Sequence, residues 1–144
     1  MSRESTETMT RPRRIGKSVA ALVAGFVVNV VLAVGTDLAF HAMGMLPALG
    51  QAMDNWQSAM ACAYRTFYGV IGSYVVARLA PYAPLEHALV GAGIGMLIAT
   101  AGAIATWNQA LGPHWYPLSL IVLALPTGWL GGKLRVMQLR GRID

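Results

Sequence analysis

Residues 19–41 read VAALVAGFVVNVVLAVGTDLAFH, a long apolar run that ends in a carboxylate and an imidazole. A helix needs about 20 apolar residues to cross the hydrocarbon core of a bilayer, so the run predicts a membrane span over residues 19–40. Asp37 and His41 are one helical turn apart and therefore share a face. Ionisable groups within a membrane span are rare, which makes this pair either a structural lock or a functional site.

The composition of the whole chain supports a membrane protein. Of its 144 residues, 56% are apolar and only 12% are charged, whereas a soluble domain carries about 25% charged residues. The single cysteine, Cys62, excludes an internal disulfide and a cysteine zinc cluster. The length is that of one domain.

Three more apolar stretches follow the first and are separated by connectors rich in Gly and Pro. They cover residues 59–80, 88–107 and 118–136. We predict an all-α fold, an integral membrane four-helix bundle made of two helical hairpins, with one transmembrane domain over residues 17–144. The polar, basic segment over residues 1–16 lacks large apolar residues, and we expect a disordered tail there.

The basic residues predict the orientation in the membrane. Ten of the eleven Lys and Arg residues lie near the chain ends or in the central turn, and Arg65 is the exception. The positive-inside rule then places both termini in the cytoplasm of a bacterial-type inner (plasma) membrane. The basic termini are suited to anionic lipid. Because they are not interleaved with aromatic residues, we expect no nucleic-acid partner.

Small residues recur on one face of each predicted span. In lipid, helices associate through close packing of such residues. We therefore expect the helices to pack through these faces, which leaves a homo-oligomer through the same faces as an open alternative. The glycines predicted at helix contacts are Gly25, Gly69, Gly72, Gly91, Gly95, Gly102, Gly128 and Gly132.

Arg65 is the one basic residue well inside a predicted span. At about 1.5 Å per residue, it lies a few ångströms below the outer membrane boundary, so its side chain can extend upward to Asp37. We predict a polar pocket that opens to the outer face. Its predicted polar residues are Asp37, His41, Arg65, Asn108 and His114, and its predicted walls are Tyr64, Tyr68, Trp107 and Tyr116.

Three roles for this pocket stay open. It handles a small solute or ion; or Asp37 and Arg65 only lock two helices together, because an unpaired arginine at depth costs several kcal/mol; or the protein is a small membrane enzyme that acts on a lipid or quinone. An enzyme is the less favoured reading, because no activated Ser or Cys nucleophile accompanies Asp37 and His41.

A metal site formed by Asp37, His41 and His114 is a further alternative. The spacing Asp-x-x-x-His is a weak signal by itself, and the third ligand would come from a connector. No phosphate-binding or redox-cofactor motif is present in the sequence, so we expect neither a metal nor a cofactor.

Overall fold

The computed structural model describes the backbone of residues 2–143 and the side chains of residues 14–143. Every regular element in this range is a helix, which confirms the predicted all-α class. The helices are α1 (Ser2–Ala42), α2 (Asn55–Leu79), α3 (Pro84–Thr106) and α4 (Trp115–Arg140). By length and composition, α1, α3 and α4 are each able to cross a membrane.

The helix α2 differs from the fourth span that we expected. It is long enough to cross a bilayer, but α1, α3 and α4 are the three helices in the described chain that are also apolar enough. Arg65 and several tyrosines lower its apolar content. The helix α2 contacts each of the other three helices, and its Tyr64, Arg65 and Tyr68 side chains bond side chains of α1.

The helical backbone of α1 begins at Ser2, well before the apolar run. The side chains of residues 1–13 lie outside the described part of the chain, and the disordered tail expected over residues 1–16 stays a prediction.

The first pair of helices crosses at two glycines, one on each helix. A Cβ atom built at Gly72 of α2 would lie 2.9 Å from the carbonyl oxygen of Gly25 of α1, closer than real Cβ atoms approach. A Cβ atom at Gly25 would lie 2.5 Å from the carbonyl oxygen of Gly72. The two backbones are therefore in direct contact, as small residues allow in membrane proteins.

Glycines also set the position of α4. Gly128 and Gly132 face Ala88 of α3, whose atoms lie 3.2 and 3.0 Å from their built Cβ positions. Gly131, which the sequence reading did not select, faces α2, with the carbonyl oxygen of Val70 at 2.6 Å. Glycines on successive positions thus let α4 lie against two helices at once.

The remaining four predicted glycines divide into two groups. Gly69 faces Thr127, and Gly91 faces Leu22, at 3.3 and 3.2 Å from the built Cβ atoms. Gly95 and Gly102 have no other atom of the described chain within 4 Å, so the helix contact expected of them is not formed there. Both border cavities. The reason is that α3 and α1 touch sparingly and separate beyond Gly91.

The two long connectors meet at one end of the molecule. The backbone N–H of Met53 donates to the carbonyl oxygen of Leu111 at 2.9 Å. The chain then enters α2 through a capping box in which Asp54 and Gln57 satisfy each other's backbone N–H groups. At the opposite end, the ring of His87 lies 2.9 Å from the hydroxyl of Ser18 and links α3 to α1.

The close approach at Gly131 predicts a measurable cost for one added methyl group. Gly131→Ala should lose about 1–3 kcal/mol of stability, because its Cβ would overlap the backbone of α2. Gly93→Ala on α3 is the matched control, since no atom of the described chain lies within 4 Å of its built Cβ. Unfolding of the purified variants in mixed detergent–SDS micelles gives both values. Equal stability of the two variants would contradict this packing.

Candidate functional site

Asp37 lies at the centre of a polar cluster between α1 and α2. Arg65 donates from Nη2 to Oδ2 of Asp37, and the hydroxyl of Tyr64 donates to Oδ1. Both carboxylate oxygens are thereby engaged. The side chains of Arg65 and Asp37 are 36% and 25% exposed, so the ion pair is only partly buried.

Neighbouring residues on the two helices extend this contact. Tyr68 follows Tyr64 by one turn of α2, and its hydroxyl shares a hydrogen bond with Thr36 Oγ1 at 2.7 Å. The ring of Tyr64 packs edge-on against Phe40, with 5.6 Å between ring centroids. Polar and aromatic contacts from consecutive turns therefore fix the end of α1 to α2.

The imidazole of His41 does not contact the carboxylate of Asp37. Its Nδ1 lies 2.7 Å from the backbone carbonyl oxygen of Asp37, one turn earlier in α1. A carbonyl oxygen only accepts, so Nδ1 carries the hydrogen and donates it. The backbone of Asp37, and not its carboxylate, therefore orients the ring of His41.

The predicted residues from the second hairpin only partly join this site. The rings of His114 and Trp107 pack at a tilt of 45°, with 4.4 Å between their centroids. Both line a cavity of about 390 Å³ together with Tyr116 and Arg65. Asn108 is exposed and lies outside this lining. The structure thus brings Arg65 and His114 to one cavity and leaves Asn108 apart.

A second, larger cavity of about 660 Å³ lies between the helices, and residues of all four helices line it. Arg65, Ala99 and Leu120 line both cavities. Arg65 therefore stands where the two cavities adjoin. Among the described residues, it is the one Asp, Glu, Lys or Arg in either lining.

Arg65 carries more hydrogen-bond donors than it has bonded acceptors among the described residues. A guanidinium carries five N–H donors, and Asp37 is the hydrogen-bond acceptor that Arg65 has within residues 14–143. Its Nε is buried without a partner in that range. An unsatisfied buried donor costs about 1–3 kcal/mol. The Nε is enclosed by protein and faces neither cavity, but the side chain as a whole is 36% exposed and lines both, so guanidinium N–H groups other than Nε are the ones within reach of a ligand.

The metal alternative has no geometric support in the described part of the chain. No three His, Cys, Asp or Glu side chains lie close enough there to hold a metal ion. His114 is engaged with Trp107 instead, where its Nε2 lies 3.2 Å from the backbone carbonyl oxygen. The Asp37, His41 and His114 set is therefore not assembled.

Two features of this region were missed by the sequence reading. The direct bond from Tyr64 to Asp37 has a signal in the sequence, because Tyr64 adjoins Arg65 and reaches the same partner. The larger cavity has a weaker signal. The small residues on α3, among them Gly91 and Gly95, were interpreted as a contact surface, although the same pattern also leaves space.

Comparisons with protein-family models, with curated proteins and with solved structures find no match to this chain.

The ion pair predicts a coupling that a double-mutant cycle measures. Asp37→Asn and Arg65→Gln should each destabilise the protein, and the double variant should lose about 1–2 kcal/mol less than the sum of the two, because residues in direct contact are coupled. Arg78→Gln combined with Asp37→Asn is the control, because Arg78 bonds Tyr74 instead. Additive losses in both cycles would show that no ion pair forms in the membrane.

Proposed function

We propose that this chain is a four-span membrane protein with both termini in the cytoplasm and a small-molecule binding site centred on Arg65 near the outer face. Three helices have the length and apolar content of membrane spans. The fourth, α2, is long enough and is in contact with all three others. These contacts support a bundle in which α2 crosses the bilayer with its polar side chains facing protein.

The distribution of charge along the structure supports the orientation. The connectors over residues 43–54 and 107–114 contain no Lys or Arg and meet at one end. The basic residues lie toward the opposite end of the helices, with Lys17 before the apolar run of α1, Arg78 in the last turn of α2 and Lys133 in the second half of α4. The positive-inside rule assigns that basic end to the cytoplasm. The cavity lined by His114 and Trp107 then opens outward.

The observation that carries the proposed function is the position of Arg65 in the linings of both cavities, with its side chain 36% exposed. Ionisable side chains inside membrane segments are costly and generally mark a ligand or ion pathway. The cavity volumes, about 660 and 390 Å³, fall within the usual range of small-molecule sites, about 300–1,000 Å³. A bound molecule with an oxygen acceptor would satisfy the remaining donors of Arg65.

The second candidate function is purely structural, with Asp37 and Arg65 serving only to join α1 to α2. The full engagement of both Asp37 oxygens favours it. It does not explain the two cavities that adjoin at Arg65. The structural role and the binding role make different predictions for a variant in which both charges are removed together.

That variant is Asp37→Leu/Arg65→Leu, because replacing both members of a partly buried ion pair by apolar residues often leaves stability unchanged or higher. We expect native mass spectrometry of the protein purified from its membrane to find a bound small molecule on the parent. We expect the same molecule on Arg78→Leu, which removes an arginine of α2 that lies outside both cavity linings.

The double variant should fold, and its affinity for this molecule should fall about tenfold, which corresponds to the loss of one charge-assisted hydrogen bond. A double variant that keeps the molecule would leave only the structural role. The same conclusion would follow if the parent carried no molecule and the double variant had the same stability.

A further inference from the structure

We propose that the ligand of this site is an uncharged, lipid-like molecule. Its alkyl chain lies in the larger cavity, and an ester, ketone, quinone or hydroxyl oxygen accepts a hydrogen bond from Arg65. This inference rests on the proposed function and specifies its ligand class. The larger cavity is called the α1–α3 cleft below, after the two helices between which it opens.

The α1–α3 cleft has the length of one alkyl chain. Arg65 lines one end of it, and at the other end Leu22 and Val76 close on Gly91, with 3.2 and 3.7 Å to its built Cβ. Between Arg65 and Val76, α2 rises about 16 Å. This is about half of the 30 Å hydrocarbon core, and hence the depth of one leaflet.

The cleft opens sideways, between α1 and α3. Past the contact of Leu22 with Gly91, the two helices separate, and Gly95 has no other atom of the described chain within 4 Å. The side chains of Val30, Ile94 and Ile98 line the cleft and are exposed. In a membrane this opening faces acyl chains, so a lipid-like molecule can reach the cleft without passing through water.

The walls of the cleft are mostly apolar. The hydroxyls of Thr66 and Thr127 donate to carbonyl oxygens of their own helices, at 2.6 and 2.8 Å, so their hydrogens are already bonded and are not offered to a ligand. Asn29 and Ser73 are the other polar side chains on the walls. The one charged donor therefore lies at the Arg65 end of the cleft, with the amide of Asn29 as a neutral donor farther along, which matches a molecule with one polar end and one long, mostly apolar end.

Charge balance decides which polar end fits. Arg65 is already neutralised by Asp37, and the two linings hold no further Asp, Glu, Lys or Arg among the described residues. A carboxylate or phosphate head would add a negative charge with no second Lys or Arg in either lining to balance it, which is costly in a medium of low dielectric. An uncharged oxygen uses the spare donors of Arg65 without that cost.

The test compares two photoreactive probes with the same chain on the full-length protein in lipid nanodiscs. One is methyl palmitate with a diazirine at the chain end, and the other is the alkyl sulfonate of equal chain length, which stays ionised. We expect the ester to label peptides around Leu22 and Gly91, where the cleft ends. The sulfonate should label them about tenfold less, as expected for one unbalanced buried charge or lost hydrogen bond.

Two leucine substitutions on α3 form a matched pair. Gly95→Leu projects into the cleft and should prevent ester labelling at its far end. Gly93→Leu has equally open surroundings but does not line the cleft, and it should label as the parent does. Equal labelling of the two variants, or stronger labelling by the sulfonate, would overturn the inference. The inference would also be overturned if chemical crosslinking of the parent gave a dimer that Gly95→Leu does not form, because a second copy of the chain would then fill the cleft.

A third variant separates this inference from the proposed function. In Asp37→Leu/Arg65→Leu, ester labelling at the end of the cleft should fall about tenfold, because the hydrogen-bond donor is gone. If labelling depends on Arg65 but not on head-group charge or on Gly95, the proposed site stands and the uncharged lipid is wrong. If labelling is the same with and without Arg65, the proposed site itself fails.

Discussion

The ion pair between Asp37 and Arg65 is the contact on which the rest of the structure depends. A guanidinium within an apolar segment is stable only if a partner or water reaches it. Arg65 finds its partner near the end of α1, and Tyr64 completes the hydrogen bonding of the carboxylate. This requirement fixes the relative position of α1 and α2. It also explains how α2, which falls short of the apolar content of a membrane span, is still in contact with the other three helices.

The ion pair in turn depends on glycine. Gly72 lies seven residues, or about 10 Å, along α2 from Arg65, and there the backbones of α1 and α2 touch at Gly25. An aspartate side chain is short, so it reaches the neighbouring helix only if the two axes are held this close. On the other side of α2, Gly131 brings α4 into backbone contact. The lack of a side chain also leaves space where no helix approaches, because Gly95 has no neighbour within 4 Å in the described chain and borders the α1–α3 cleft.

The sequence was sufficient for the helical class and for the meeting of Asp37 with Arg65, because a fixed rise per residue sets the height of every side chain. It did not determine where His41 points, since a carbonyl one turn earlier competes with the carboxylate for the ring. Nor did it show that Gly131 lies at a helix contact whereas Gly95 lies at a gap. A glycine marks either a close contact or a gap, and only the neighbouring helix decides which. The predicted orientation and outward pocket stay predictions.

The most direct test of this account is a carbon–nitrogen distance between Asp37 Cγ and the Arg65 guanidinium. Solid-state nuclear magnetic resonance on the selectively labelled protein in lipid bilayers measures this distance. The account predicts a dipolar coupling that corresponds to about 4 Å or less, the separation of a formed ion pair. A spectrum without measurable coupling, in a sample where Tyr68 still contacts Thr36, would show that the helices pack without the pair and would contradict the account.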